Sequence, residues 1–393
     1  MDDYVIQVVT SPLDVDATTW DALLDSQPFA TPFMRHTYLS ALHTSGSACA
    51  RTGWDPRFIL LSDEQGLAAA TVLYIKDHSM GEYVFDWAWA RAYQQHGVPY
   101  YPKGVVAVPF TPVPGSRLLA RDSTARAALA KALVGLAEQW ELSSLHLLFG
   151  TEDDFEACLN AQMQLRHTVQ FHWENSAEGY LDFDAFLASL SQEKRKKIRQ
   201  ERRKVQEAGV QFRHAAGAEI SAEDWAFFYR CYERTYLEHG NPPYLKPEFF
   251  RQMAQVMPEN WLLFIAERDG RSIASSLIGL GQQGNVPDGD QPLAKVAYGR
   301  YWGALERVDC LHFEACYYQP LQWCITQGYQ RFEGGAQGEH KMARALLPVK
   351  TSSTHWIAHP EFSNAIANYL EREGQGIENY MEELETRNPF RKS

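Results

Sequence analysis

The sequence predicts an α/β protein of two similar domains with mixed, largely antiparallel sheets. Two observations carry that prediction. One order of elements, hairpin, strand, helix, strand, occurs twice along the chain. The chain also runs to 393 residues, longer than a single core usually supports, with 45% hydrophobic and 22% charged residues as in ordinary globular proteins.

In the first half, Tyr4 to Val9 reads as a strand. Helices follow around Trp20 to Leu24, introduced by Asp16, and around His36 to Leu42. The runs Arg57 to Leu61 and Leu67 to Ile75 form a hairpin about the turn residues Asp63-Glu64-Gln65-Gly66. An aromatic and polar stretch, Lys76 to Trp87 and on to Lys103, is too rich in rings for an idle loop. A helix from Ser123 to Glu141 with Leu129, Leu133, Leu136 and Trp140 at helical spacing then leads to a strand at Ser144 to Phe149.

The second half repeats this order. Trp261 to Ala266 and Ser272 to Leu280 flank the turn Asp269-Gly270, and Lys295 to Trp302 is the next strand. A helix from His312 to Thr326 precedes the strand Tyr329 to Glu333. The predicted organisation is a first domain over 1–180, a basic joining segment over 181–209 and a second domain over 210–393, with disorder expected only from Asn388 to Ser393.

The joining segment reads as one amphipathic helix from Leu187 to Val205, with Leu187, Leu190, Ile198 and Val205 on one stripe. Arg195, Arg199, Arg202 and Arg203 share the opposite face. Adjacent cations repel unless an anion answers them, so that face asks for acids of the same chain or for a phosphate-bearing ligand. Lys194 and Glu201 fall on the apolar stripe, seven residues apart, as a partly buried pair or a site facing a cleft.

Other totals exclude classes of function. A net charge of −12 argues against a general nucleic-acid binder. Cys49, Cys158, Cys231, Cys310, Cys316 and Cys324 show neither a CxxC pair nor a Cys/His metal spacing, so reduced thiols and no metal are expected. The opening Met1-Asp2-Asp3-Tyr4 carries no basic leader or apolar run, and no stretch is long enough to span a bilayer, which points to the cytoplasm.

Chemistry concentrates in Phe332-Glu333-Gly334-Gly335-Ala336-Gln337-Gly338-Glu339-His340-Lys341. The glycines let the chain leave a buried strand, and an acid, an imidazole and a cation follow within a few residues. The equally simple reading is a strand-to-loop turn with solvated charges.

The runs Lys76 to Trp87, Tyr100-Tyr101-Pro102-Lys103, Arg195 to Arg203, Tyr298-Gly299-Arg300-Tyr301-Trp302-Gly303, His312 to Gln319 and Gly334 to Lys341 resemble the FemAB-like family of N-acyltransferases. The resemblance extends from about Pro32 to Glu371. It implies two domains of the GCN5-related acetyltransferase fold, similar to Fem-type peptidoglycan peptidyltransferases, which move an aminoacyl group from transfer RNA to an amine. In those relatives a lysine shortly after a glycine-containing strand end stabilises the charge on the acyl carbonyl, which implies that role for Lys341. His340 stands where Fem enzymes tend to have an aromatic residue.

The donor implied by the resemblance is acyl-coenzyme A or aminoacyl-tRNA, and the acceptor a small-molecule or cell-wall-precursor amine. The nearest approach to a coenzyme A pyrophosphate loop is Arg300-Tyr301-Trp302-Gly303-Ala304-Leu305, which departs from the pattern at its last position. Acyl transfer needs a base for the amine proton, and Glu314, Glu339 and His340 all qualify. Tyr298, Arg300 and Trp302, alternating along a strand, with His312, Tyr317, Tyr318 and Gln337, are substrate-binding candidates. In the first domain, Lys76, His78, Glu82 and Asp86 either bind the acceptor or bond to one another under a long loop. His355 and Trp356 are expected near the second-domain strand. The rival from another class is a binding protein of this fold, without turnover, that recognises a peptidoglycan precursor or RNA.

Overall fold

The strands, in chain order, are β1 (Val5–Val9), β2 (Asp55–Asp63), β3 (Gly66–Lys76), β4 (Lys103–Val106), β5 (Leu119–Ala120), β6 (Ser144–Leu148), β7 (Gln164–Glu174), β8 (Gln211–Ala216), β9 (Trp261–Arg268), β10 (Arg271–Gln283), β11 (Ala294–Ala304), β12 (Arg331–Ala336) and β13 (Leu347–Ile357). The helices are α1 (Ala17–Asp25), α2 (His36–Thr44), α3 (Trp87–Gln95), α4 (Ser123–Gln139), α5 (Glu152–Asn160), α6 (Phe183–Ser189), α7 (Gln192–Glu207), α8 (Ala222–Glu238), α9 (Pro247–Val256), α10 (Leu311–Phe313), α11 (Gln319–Thr326) and α12 (Pro360–Thr386). This computed structural model describes residues 4–284, 293–336 and 338–391.

The chain divides into two compact units. The described parts of Met1–Thr168, Gly284–Pro292 and Lys350–Tyr380 form the first, and those of Val169–Gln283, Leu293–Val349 and Met381–Ser393 the second. This differs from boundaries at 1–180, 181–209 and 210–393: the basic segment packs wholly within the second unit, and 350–380 returns to the first. The sheets explain why, since each takes its last strand from the other half of the sequence.

In the first unit the strand order is β1-β2-β3-β4-β6-β13, with β5 beside β3. β1 to β4 pair antiparallel, β4 runs parallel to β6 through Gly104↔Leu145 to Val106↔Leu147, and β13 closes antiparallel on β6. The parallel step requires a crossover helix, supplied by α4. Asp122 accepts a bond from the Ala125 N–H and caps it, and Ala and Leu are strong helix formers. Leu129, Leu133 and Ala137 bury against Ile59, Leu73, Val106 and Leu145, each leucine contributing about 1.5–3 kcal/mol. Beyond β4 the buried residues Ala107, Val108, Phe110 and Val113 return the chain to the end of β6, where the Gly115 N–H donates to the Phe149 carbonyl at 3.0 Å.

The second unit repeats the order as β8-β9-β10-β11-β12-β7. Its parallel step pairs Val296, Ala297 and Tyr298 of β11 with Arg331, Phe332 and Glu333 of β12, and β7 closes antiparallel on β12. α8, capped by a reciprocal Ser221–Asp224 box, packs across β10 and β11. It approaches so closely that a Cβ on Gly303 would lie 1.9 Å from the Cys231 carbonyl oxygen.

Four expectations need correction here. The basic segment is two helices, because Leu190 leaves helical geometry to form a bridge with Phe390 and the Ser191 N–H bonds to the Pro389 carbonyl at 2.9 Å. For the same reason residues 388–391 are docked rather than disordered, with the Arg391 N–H on the Ser189 carbonyl. Arg300 to Ala304 belong to β11, so Gly303 serves close helix packing and not a phosphate loop. The alternation of Tyr298, Arg300 and Trp302 is broken by a bulge, since β10 pairing steps from Leu277↔Tyr301 to Ile278↔Gly299 and passes over Arg300.

Candidate functional site

β12 runs three residues past its parallel pairing, and its glycines are required there. Gly335 has φ 79°, and a Cβ on Gly334 would sit 2.4 Å from the Leu346 side chain and 3.3 Å from Cδ of Lys341. The chain then turns through the short helix Glu339–Arg344, which brings Lys341 back beneath the strand. Its Nζ donates to the Gly335 carbonyl at 3.0 Å, and the residue is 4% exposed. Burial pulls its pKa down to about 8, against a smaller opposing effect of Cys316. The ammonium is therefore mostly charged at pH 7, in a medium where a cation acts strongly on a neighbouring oxygen.

An aromatic and imidazole group adjoins it. The Tyr317 hydroxyl lies 3.2 Å from Nε2 of His340, and the His312 ring packs edge-on to both Tyr317 and Trp302. Burial, reinforced by Arg344 and Lys341, lowers the pKa of His340, and that of His312 falls to about 4. Both shifts favour the neutral imidazole, more strongly for His312. A π-helical turn, Glu314–Tyr318, inserted between α10 and α11, sets the orientation of Tyr317 and Tyr318.

Beneath this group is an ion pair that sequence reasoning missed. Arg344 Nη2 donates to both carboxylate oxygens of Glu201 at 2.9 Å, Nη1 donates to the His340 carbonyl at 2.6 Å, and the guanidinium lies 3.5 Å from the Phe313 ring centroid. Tyr318 donates its hydroxyl to the same carboxylate. The one available signal was Glu201 on the apolar stripe. Its partner is Arg344, and Lys194 pairs instead with Glu193 at 3.4 Å.

The remaining second-unit candidates are placed as follows. Glu314 is buried between Arg202, at 3.0 Å, and the Gln319 amide, at 2.7 Å. Glu339 is exposed and paired with Arg387 at 3.1 Å. Tyr298 is fully buried and accepts a bond from the Gln283 amide at 3.1 Å, whereas Arg300 donates to the Tyr301 hydroxyl at 2.9 Å. Gln337 lies outside the described residues. Of the four arginines, Arg202 turns inward to Glu314 and over the Phe183 ring, Arg199 and Arg203 stay exposed with 3.5 Å pairings to Asp184 and Glu207, and Arg195 is half-buried.

The first unit holds a separate buried network. Lys103, 0% exposed, donates to Ser79 and Glu82 at 2.8 Å each and to Asp86, and Asp86 accepts from the Tyr100 hydroxyl at 2.6 Å. Lys76, also 0% exposed, lies 3.4 Å from the Trp54 ring centroid and 3.7 Å from Glu82. Of the two alternatives, Glu82 and Asp86 follow the one in which the polar residues bond to one another. His78 is turned to the Thr52 carbonyl at 3.0 Å. His355 lies in the first unit, not by the second-domain strand, because β13 pairs with β6: its Nδ1 is 2.7 Å from Nδ1 of His146.

The turn from β11 to α10, Leu305 to Cys310, has no glycine, and its Glu306 is paired with Arg268 and Arg271. Among the described residues no three His, Cys, Asp or Glu side chains are grouped to hold a metal, and no helix is long and apolar enough to cross a membrane.

With this geometry in view, the class follows: the chain belongs to the FemAB_like family of peptidoglycan biosynthesis/recognition, whose profile matches residues 11–392. Among solved structures it is similar to FemX, at 11% identity and a TM-score of 0.54, over 92% of this chain and 100% of that one. It is also similar to L-PGS from Bacillus licheniformis, at 11% identity and a TM-score of 0.51, over 90% of this chain and 96% of that one. A third likeness is to the C-terminal domain of a lysylphosphatidylglycerol synthetase homologue from Agrobacterium fabrum, at 10% identity and a TM-score of 0.51, over 92% and 97% of the two chains. At these identities the likeness establishes a shared fold. No curated protein matches the sequence.

Proposed function

We propose that the protein is an N-acyltransferase that moves an acyl or aminoacyl group from a phosphate-bearing donor to an amine of a peptidoglycan precursor. The observation that carries this reading is the buried Lys341 ammonium at the glycine-bent end of β12, in a chain of the FemAB_like family. In this reading Lys341 faces the acyl carbonyl oxygen and takes up the negative charge that develops as the amine adds. The N–C bond forms and the bond from the acyl carbon to the donor breaks. The amine proton passes to His340, which Tyr317 orients, and the departing donor oxygen or sulfur is protonated in turn.

The exposed side of α7, with Lys196, Lys197, Arg199 and Arg203, strings cations along one helix and suits the extended phosphate backbone of charged transfer RNA. Native mass spectrometry with acetyl-coenzyme A, a longer acyl-coenzyme A and charged transfer RNA, followed by a product assay on a precursor peptide with a free amine, tests the reading. Charged transfer RNA should bind and its aminoacyl group should appear on the peptide. Binding without product would make the protein a recognition module, and binding of none of the three would end the proposal.

A further inference from the structure

Two neighbouring side chains of opposite charge on α7 reach the group around Lys341. Glu201 lies on the apolar stripe between the buried Ile198 and Val205, and Arg202, about 100° further round the helix, is half-buried. Each takes hold of one of the two segments that carry the Tyr317–His340 contact. Glu201 binds Arg344, at 2.9 Å to both carboxylate oxygens, and Arg344 in turn donates to the His340 carbonyl at 2.6 Å. Arg202 binds Glu314, at 3.0 Å, which opens the π-helical turn bearing Tyr317. The Gln319 amide closes that turn on the same carboxylate at 2.7 Å.

Stability alone does not account for these pairs. Apolar side chains of similar volume would often hold a buried site as firmly as an Arg–Glu pair does. What an apolar pair lacks is direction. The Arg344 fork fixes the Glu201 carboxylate and the His340 carbonyl along separate N–H vectors, and the Tyr318 hydroxyl donates to the same carboxylate. The guanidinium also lies 3.5 Å from the ring centroid of Phe313, the residue before the π-helical turn, so the two segments are tied to each other as well as to α7. His340 is itself exposed, with Nε2 3.2 Å from the Tyr317 hydroxyl, and a small shift of either segment would open that contact.

We infer that Glu201 and Arg202 are positioning residues, which through Arg344 and Glu314 hold the Tyr317 hydroxyl against Nε2 of His340. With Nε2–H donated to the Tyr317 oxygen, Nδ1 keeps the lone pair for the incoming amine proton. That catalytic role rests on the acyl-transfer reading, whereas the alignment of the ring does not.

Nitrogen NMR of the full chain with isotope-labelled histidine, His340 being assigned by the loss of its signals in His340→Gln, tests the alignment. The parent should show one tautomer at His340, protonated on Nε2. Glu201→Leu combined with Arg344→Met should regain part of the stability that Arg344→Met alone loses, yet should mix the two tautomers and raise the His340 pKa, which Arg344 helps to hold down. Arg202→Gln, at a half-buried position, should also mix the tautomers. Leu129→Ala, in the core of the first unit, should lose stability and leave the His340 signals as they are. Single-turnover transfer from charged transfer RNA to a precursor peptide should slow about tenfold in the double variant with donor affinity unchanged.

Mixed tautomers in the parent, the parental tautomer in the double variant and in Arg202→Gln, or mixing in Leu129→Ala would each overturn the inference. A parent that forms no product, with the spectra changing as described, would end the acyl-transfer reading and leave the alignment standing.

Discussion

Arg344 holds both carboxylate oxygens of Glu201 at 2.9 Å, with its side chain 3% exposed, and so locks α7 to the short helix that carries Lys341. Removing one partner leaves a buried charge unanswered. Arg344→Met should therefore lower stability by about 3–5 kcal/mol in urea unfolding, and Glu201→Leu in the same chain should restore part of that loss. A single variant as stable as the parent would show that the pair holds nothing in place.

The arginines of α7 should separate into two kinds. Arg195→Glu with Arg203→Glu should weaken charged transfer RNA about tenfold and reduce the salt dependence of binding, with stability unchanged. Arg202→Ala should instead cost about 2 kcal/mol of stability, because it strands the Glu314 carboxylate, which is 4% exposed. Equal effects of the two changes on binding and stability would erase the distinction.

The buried network of the first unit sets a pH dependence. Burial lowers the Lys76 pKa to about 7 from 10.5, so between those values the unfolded chain holds a proton that the native one has released. Stability from this group rises with pH across that window. Burial raises the Glu82 pKa to about 7 from 4.5, so there the native chain holds the extra proton and stability falls as pH climbs from 4.5 to 7. Burial of His146, His172 and His312 lowers their pKa values to about 3, 3 and 4 and adds a rise across the acidic window, so each group is read from its own variant. In urea midpoints measured across pH, Lys76→Met should flatten the rise above pH 7 and Glu82→Gln should steepen the rise between pH 4.5 and 7, and variants that keep the parent's slopes in those windows would contradict the assignment.

What could be read from the sequence divides by range of contact. The turn Asp63 to Gly66 and the helix from Ser123 depend on neighbouring residues, and hairpin, strand, helix, strand recurs in both units as expected. Glu201 announced a buried partner by its place on the apolar stripe, but Arg344 is 143 residues away. His146 and His355 are separated by 209 residues and meet only because β13 pairs with β6. The same exchange of last strands moved 350–380 into the first unit, and no local pattern encodes it. The break at Leu190 escaped periodicity because the cause is Phe390, near the far end of the chain.

The most direct test of the account is the single-turnover rate of acyl transfer by Lys341→Met, measured with its stability. Transfer should slow by about 10²–10³-fold with donor affinity nearly unchanged, since the ammonium acts on charge that develops only in the transition state. Because burial already depresses the Lys341 pKa to about 8, removing the charge should leave stability at pH 7 equal or higher, and a loss of rate above about pH 8 in the parent should vanish in the variant. A Lys341→Met protein that transfers at the parental rate would contradict the account.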